Sequence, residues 1–210
     1  MSTSRIAVVD YKAGNLTSVA MALRHLGKEP LITQRPEEIA AAERIIFPGV
    51  GAAGAAMKNL RELGIDEALR DVIERGRPVL GICVGCQVIF DHSEEDAGTD
   101  CLGILPGVVK RFVFPSGISR KIPHMGWNEV HFEGDHPVFR NLPANSQFYF
   151  VHGYYPEPRD DSVVRGRTVY GDIRFGAAVA RNSVAAVQFH TEKSGPPGLR
   201  LLDNFLSWNP

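Results

Sequence analysis

Short, wholly apolar runs alternate along the first half of the chain with stretches in which apolar residues return every three or four positions. Residues 6–10 read as a buried strand, and Leu16, Val19, Ala20, Leu23 and Leu26 share one helical face that Gly27 terminates. Residues 30–33 are strand-like and Pro36 opens a short helix through Ala42. Residues 44–47 are a strand again, followed by the glycine-rich loop Pro48-Gly49-Val50-Gly51. Ile65, Ala68, Leu69, Val72 and Ile73 form a further helical face ending at Gly76, and residues 78–82 make the next strand. Strands alternating with helices at this spacing predict right-handed βαβ units, and so a parallel sheet covered on both faces.

Beyond Leu102 the rhythm changes. Strands are predicted at residues 108–112, 128–132, 147–151, 168–174, 177–180 and 185–189, while residues 114–123 and 156–167 read as surface loops. Closely spaced strands of this kind suggest antiparallel hairpins. Leu199, Leu202, Phe205 and Leu206 mark a closing helix. The expected fold is α/β: a doubly wound, mostly parallel sheet with helices on both faces and antiparallel strands added in the C-terminal half, as one domain over residues 1–210.

Composition narrows the function. A chain of 210 residues with 44% apolar and 22% charged side chains can bury a full core. Its 23 basic and 24 acidic residues leave a formal charge of −1, which argues against binding nucleic acid or anionic membrane by bulk charge. The apolar uncharged stretches at residues 45–57 and 78–90 are too short to span a bilayer and are broken by glycines. The apolar run before Asp10 is only the four residues Ile6 to Val9, which is no signal-peptide core, so a cytoplasmic location is expected. Cys83, Cys86 and Cys101 are an odd number and not a disulfide framework, and the one C-x-x-C lacks the further ligands of a tetrahedral zinc site. No metal or cofactor is expected.

The sharpest local signal is Pro78-Val79-Leu80-Gly81-Ile82-Cys83-Val84-Gly85, an apolar strand running into G-x-C-x-G. A nucleophile on an abrupt strand-to-helix turn needs very small neighbours two residues either side, and Gly81 and Gly85 supply them. The following helix N-terminus would favour thiolate. A buried core cysteine beside flexible glycines is the competing reading. A second signal is Phe189-His190-Thr191-Glu192, where an apolar strand ends in His-x-Glu. Both polar side chains share one side if the chain stays extended, so Glu192 can orient His190 as a general base for Cys83. A surface histidine is the alternative. The loop at Pro48 follows a strand parallel to that of Cys83, so the two meet at one sheet edge, where glycine N–H groups and that of Val84 could face an oxyanion. A phosphate loop would need a Lys-Ser/Thr ending, which Gly49-Val50-Gly51-Ala52-Ala53-Gly54 lacks.

With these motifs the sequence resembles the class I (triad) glutamine amidotransferases, which hydrolyse glutamine and hand ammonia to a synthase. Within that class it is similar to the glutaminase subunits of imidazole glycerol phosphate synthases, enzymes of histidine biosynthesis. The likeness rests on Asp10-Tyr11-Lys12-Ala13-Gly14-Asn15-Leu16, Pro48-Gly49-Val50-Gly51-Ala52, Pro123-His124-Met125-Gly126-Trp127-Asn128, Phe148-Tyr149-Phe150-Val151-His152 and Phe189-His190-Thr191-Glu192-Lys193-Ser194. The resemblance implies Cys83 as nucleophile, His190 as base and acid, and Glu192 as its orienter. It implies oxyanion donors at Gly51 and Val84, and substrate contacts at Gly49, Gln87, Glu95, Gly153 and Tyr154.

The resemblance further implies a heterodimer with a separate (β/α)8 barrel cyclase, which makes imidazole glycerol phosphate and AICAR, with Asn15, Trp127, Tyr149 and Lys193 at or near the interface. Thr191, Lys12, Val84, Cys86 and Gly153 depart from residues usual in the family. Rival readings are the glutaminase subunit of another synthase, such as one for anthranilate or pyridoxal phosphate, a free-standing cysteine hydrolase, and a degenerate amidotransferase kept as an interaction module.

Overall fold

The computed structural model describes residues 5–12, 14–117 and 120–210. Ala13 of the Asp10 to Leu16 block, and Ile118 and Ser119 of the loop predicted over residues 114–123, lie outside the described residues. The first half runs β1 (Ile6–Val9), α1 (Leu16–His25), β2 (Leu31–Thr33), α2 (Pro36–Ala40), β3 (Arg44–Gly49), α3 (Ala53–Glu62), α4 (Ile65–Glu74), β4 (Val79–Cys83) and α5 (Val84–Gln87). The second half runs β5 (His92–Ser93), β6 (Thr99–Asp100), β7 (Gly107–Arg111), β8 (His124–Glu129), β9 (His131–Phe132), β10 (Gln147–His152), β11 (Tyr154–Pro158), β12 (Val164–Tyr170), β13 (Ile173–Arg181), β14 (Val184–Val187) and α6 (Gly195–Ser207). None of the described helices is long and apolar enough to cross a membrane.

The main sheet has the order β2-β1-β3-β4-β14-β13-β12-β9. It is parallel from β2 to β14 and antiparallel from β14 to β9. Every residue of β1, β4 and β14 is buried, the continuous apolar pattern of strands covered on both faces. Helices α2 and α3 both pack on α4, and α1 and α6 meet around a short turn at Thr191–Lys193. Helix α4 shows why such a segment forms. Its apolar positions Ile65, Ala68, Leu69 and Val72 are all buried, and Asp66 and Glu67 lie in the first turn, where the helix dipole favours acid. Two smaller units flank the sheet: β11-β7-β5-β6, and the antiparallel pair β8 and β10.

The doubly wound fold with added antiparallel strands is the one expected, and several boundaries differ. Strand β3 continues through Pro48 and Gly49, so half of the predicted glycine loop is sheet. Helix α3, which the sequence pattern does not announce, follows it. The predicted strand at 128–132 begins at His124 and is divided into β8 and β9. The predicted strand at 168–174 is the turn of a hairpin, with Gly171 at φ 66°. The predicted loop at 156–167 holds the end of β11 and the start of β12. In β12 the inward positions include Gly166 and Thr168, whereas Arg165 and Arg167 are partly exposed, so alternation is present without an apolar signature. Phe132 fills the space that a larger residue at 166 would take.

Candidate active site

Strand β4 delivers Cys83 to the C-terminal edge of the parallel sheet, and the chain turns there into α5. Cys83 itself has φ 56° and ψ −109°, a strained conformation for a residue with a side chain. The turn is possible because its flanks are glycine: a Cβ at Gly85 would lie 1.9 Å from the Phe47 carbonyl oxygen, and one at Gly81 would lie 2.9 Å from the Gly85 carbonyl oxygen. The expected elbow is therefore present. Its helix has only four residues, however, so the dipole contribution expected at Cys83 is small. Gly49 of β3 stands in register beside Cys83, which brings the Pro48 loop to the same edge.

His190 and Glu192 reach this edge from the end of β14. The strand ends at Val187, and Glu192 lies in the Thr191–Lys193 turn, so strand alternation is not what unites the two side chains. The tight turn does, placing His190 Nδ1 2.7 Å from Glu192 Oε1. Both side chains are buried, at 1% and 0% exposure. The His190 backbone N–H donates to the Tyr149 carbonyl at 2.9 Å, and the Ser194 hydroxyl donates to the His190 carbonyl, which fixes the turn against β10. Nε2 of the imidazole has no hydrogen-bond partner among the described residues and is the nitrogen that Glu192 leaves free. Burial alone would lower the His190 pKa, but the proximity of Cys83 and the Glu192 carboxylate outweigh it and hold the ring toward imidazolium.

Around these groups lies a cleft of about 160 Å³, lined by Val50, Gly51, Cys83, Val84, Gln87, Glu95, Val151, His152, Gly153, Tyr154 and His190. That is well below the roughly 300–1,000 Å³ of sites for drug-sized ligands and suits one small metabolite. Glu95 is half-buried and its Oε2 accepts the Ala53 N–H at 2.7 Å; burial pushes its carboxyl above the usual carboxylate range. Gln87 donates to the Tyr154 carbonyl at 3.0 Å. Gly49 is not among the lining residues, since it packs under the Tyr11 hydroxyl.

Of the residues expected at an interface, Trp127 is 56% exposed and edge-on to Tyr149 at 6.0 Å, and Lys193 is exposed. Asn15 instead turns inward, at φ 75°, and its amide donates to Glu192 Oε1. Two residues escape sequence reasoning. Tyr11 keeps a buried, unpartnered hydroxyl against Gly49, with its pKa pushed up by burial and by Cys83, and Gln188 reaches the Cys83 sulfur at 3.9 Å. Only the placement of Gln188 two positions before His190, on the same side of an extended chain, could have signalled it. All three cysteines are free and buried, and burial with the Cys83 charge pushes the Cys86 thiol up.

A thiol, an imidazole and a carboxylate at a small cleft have the chemistry that acyl transfer needs, and comparison with known proteins gives the family. A protein of Pseudomonas putida described as imidazole glycerol phosphate synthase subunit HisH is 48% identical over 97% of both chains. One of Moorella thermoacetica with the same description is 49% identical over 95% of this chain and 93% of its own. A crystal structure described as a glutamine amidotransferase superposes with a TM-score of 0.73 at 23% identity, covering 96% of this chain and 97% of that one. The structure of PurLQS from Thermotoga maritima gives 0.72 at 21% identity over 98% of each, a likeness of fold. The family described as glutamine amidotransferase class-I matches residues 7–208, and the chain belongs to it.

Proposed function

We propose that this protein is the glutaminase subunit of an imidazole glycerol phosphate synthase. The observation that carries the reaction is the buried His190–Glu192 pair at 2.7 Å, with the free Nε2 of its imidazole in one small cleft with Cys83. The Cys83 thiolate attacks the side-chain amide carbon of glutamine. Backbone N–H groups at Gly51 and Val84 face the oxyanion, in the loop and turn that Gly49 and Cys83 hold in register. His190 passes its Nε2 proton to the amide nitrogen, ammonia leaves, and a γ-glutamyl thioester remains on the sulfur. Water then gives its proton to His190 and attacks the thioester, releasing glutamate and restoring the thiolate–imidazolium pair. Glu192 holds the imidazole orientation and stabilises its charge throughout. Glu95, Gln87, Gly153 and Tyr154 hold the amino-acid end of the substrate.

Supporting the synthase reading are the two named relatives at 48% and 49% identity and the exposed Trp127 of β8. The partner is a separate (β/α)8 barrel cyclase that consumes the ammonia, with β8 and the Lys193 turn facing it. Cys83→Ala should abolish glutamate release and leave cyclase binding intact, read by glutamate release and by co-elution with the cyclase and its ribonucleotide substrate. Residual turnover in that variant removes Cys83 as nucleophile, and failure to bind the cyclase removes the partner.

A further inference from the structure

A line of polar side chains, of which the reaction scheme uses only Gln87 and the Tyr154 carbonyl beside it, ends on the nucleophile. His152 Nδ1 lies 2.7 Å from the Tyr154 carbonyl, which can only accept, so His152 donates from Nδ1 and carries a lone pair on Nε2. That Nε2 is 3.0 Å from His124 Nδ1, which must therefore donate, and His124 Nε2 accepts from the Asn128 amide at 3.3 Å. The other Asn128 amide hydrogen goes to the Val169 carbonyl at 2.9 Å. From the Tyr154 carbonyl the line continues to Gln87, which spends its second amide hydrogen on Gln188 Oε1 at 3.0 Å. Gln188 then donates to the Cys83 sulfur at 3.9 Å.

The donor and acceptor assignments are forced from end to end. A reversed imidazole or amide would set donor against donor or acceptor against acceptor in a dry interior, where His124, His152, Gln87 and Gln188 are all at most 5% exposed. Among the described residues no carboxylate is hydrogen-bonded to either histidine. Burial holds His124 at about 4 and His152 at about 3, so both stay neutral at physiological pH, as the assignment requires. The line starts on β8, whose other face presents Met125 and Trp127 to solvent at 63% and 56% exposure.

We propose that His124, His152 and Gln188 are positioning residues for the chemistry at Cys83: one hydrogen-bond network, in which His152 and Gln87 both donate to the Tyr154 carbonyl, orients the sulfur and that carbonyl and anchors both to the exposed strand β8. This rests on Cys83 being the nucleophile.

Nitrogen NMR of the imidazoles in the intact protein at pH 7 tests the direction, with both His124 and His152 expected as Nδ1–H tautomers; an Nε2–H tautomer on either overturns the chain. Its role is tested with His124→Phe, whose ring fits between Phe150 and Tyr170, at 4.7 and 4.0 Å, and with Gln188→Met. Each should lower kcat about tenfold, the loss expected for one hydrogen bond to a charged group, with little change in KM. Alkylation of Cys83 by iodoacetamide should slow by the same factor. The double variant should lose no more than the more impaired single. Losses that multiply toward a hundredfold, or a change confined to KM, overturn it. Absence of any glutamate release by the parent protein would sink the glutaminase reading instead, while tautomers and alkylation rates still decide the chain.

Discussion

Two histidine pairs lie buried near one cleft and are driven in opposite directions. For His190, burial disfavours charge, yet Cys83 and Glu192 overturn that and hold the ring charged. For His152, burial wins: the Tyr154 carbonyl alone opposes it, and the nearby imidazoles of His124 and His190 add to it, leaving the pKa at about 3. The surroundings are alike in dryness and differ in one carboxylate and one thiol. Desolvation thus sets a common bias, and the identity of the nearest partner decides which imidazole can exchange protons.

The largest expected effect comes from erasing that difference. Glu192→Gln keeps a side chain of the same shape without charge, and glutaminase kcat should fall by about 10⁴, the cost of losing the orienting acid in a triad. NMR titration should then show His190 losing its proton at lower pH than in the parent. A loss below tenfold would mean that the carboxylate does not govern His190.

An intermediate effect should appear in the pH dependence of stability. His124, His152 and His136 have folded-state values near 4, 3 and 4, against 6.5 when unfolded, so their contribution is complete above pH 6.5 and lost as pH falls toward the folded values. His190 is raised, so its contribution is complete below pH 6.5 and lost as pH rises through its folded value. The melting temperature should therefore peak near pH 6.5 and decline steadily toward pH 4. A flat profile from pH 6.5 to 4 would show that the neutral pair is not held neutral by burial.

The smallest effect concerns the turn that joins His190 to Glu192. Thr191 opens that turn with a buried, unpartnered hydroxyl, after a residue already extended at φ −90° and ψ 104°. Proline suits the first position of such a turn and the backbone before it. Thr191→Pro should stabilise by about 1 kcal/mol and raise the melting temperature by roughly 2–4 °C in calorimetry. A lower melting temperature would mean that the threonine backbone geometry is incompatible with proline.

The apolar strands and the helical face of α4 were legible because continuous and 3.6-residue patterns survive any tertiary context. The first part of β12, residues 164–167, was hidden, since it carries a glycine and two arginines and its partners come from β9 and β13. At the site, Cys83 and His190 declared themselves through glycine spacing and a polar break after an apolar run. The inward turn of Asn15 could not be read, because it depends on a left-handed backbone before α1 and on a glutamate 177 positions away. Gln188 and the paired imidazoles of β8 and β10 belong to the same class, polar residues whose meaning exists only across strands.

Because Gly49 and Cys83 share a rung between adjacent parallel strands, the sulfur and the loop beside it are mounted on a common ruler. Lengthening α3 or α4 would leave that ruler untouched. Inserting a single residue within β3 or β4 would shift one mounting by about 3.3 Å and turn its side chains to the opposite face, so chain-length variation is tolerated between these strands and forbidden inside them.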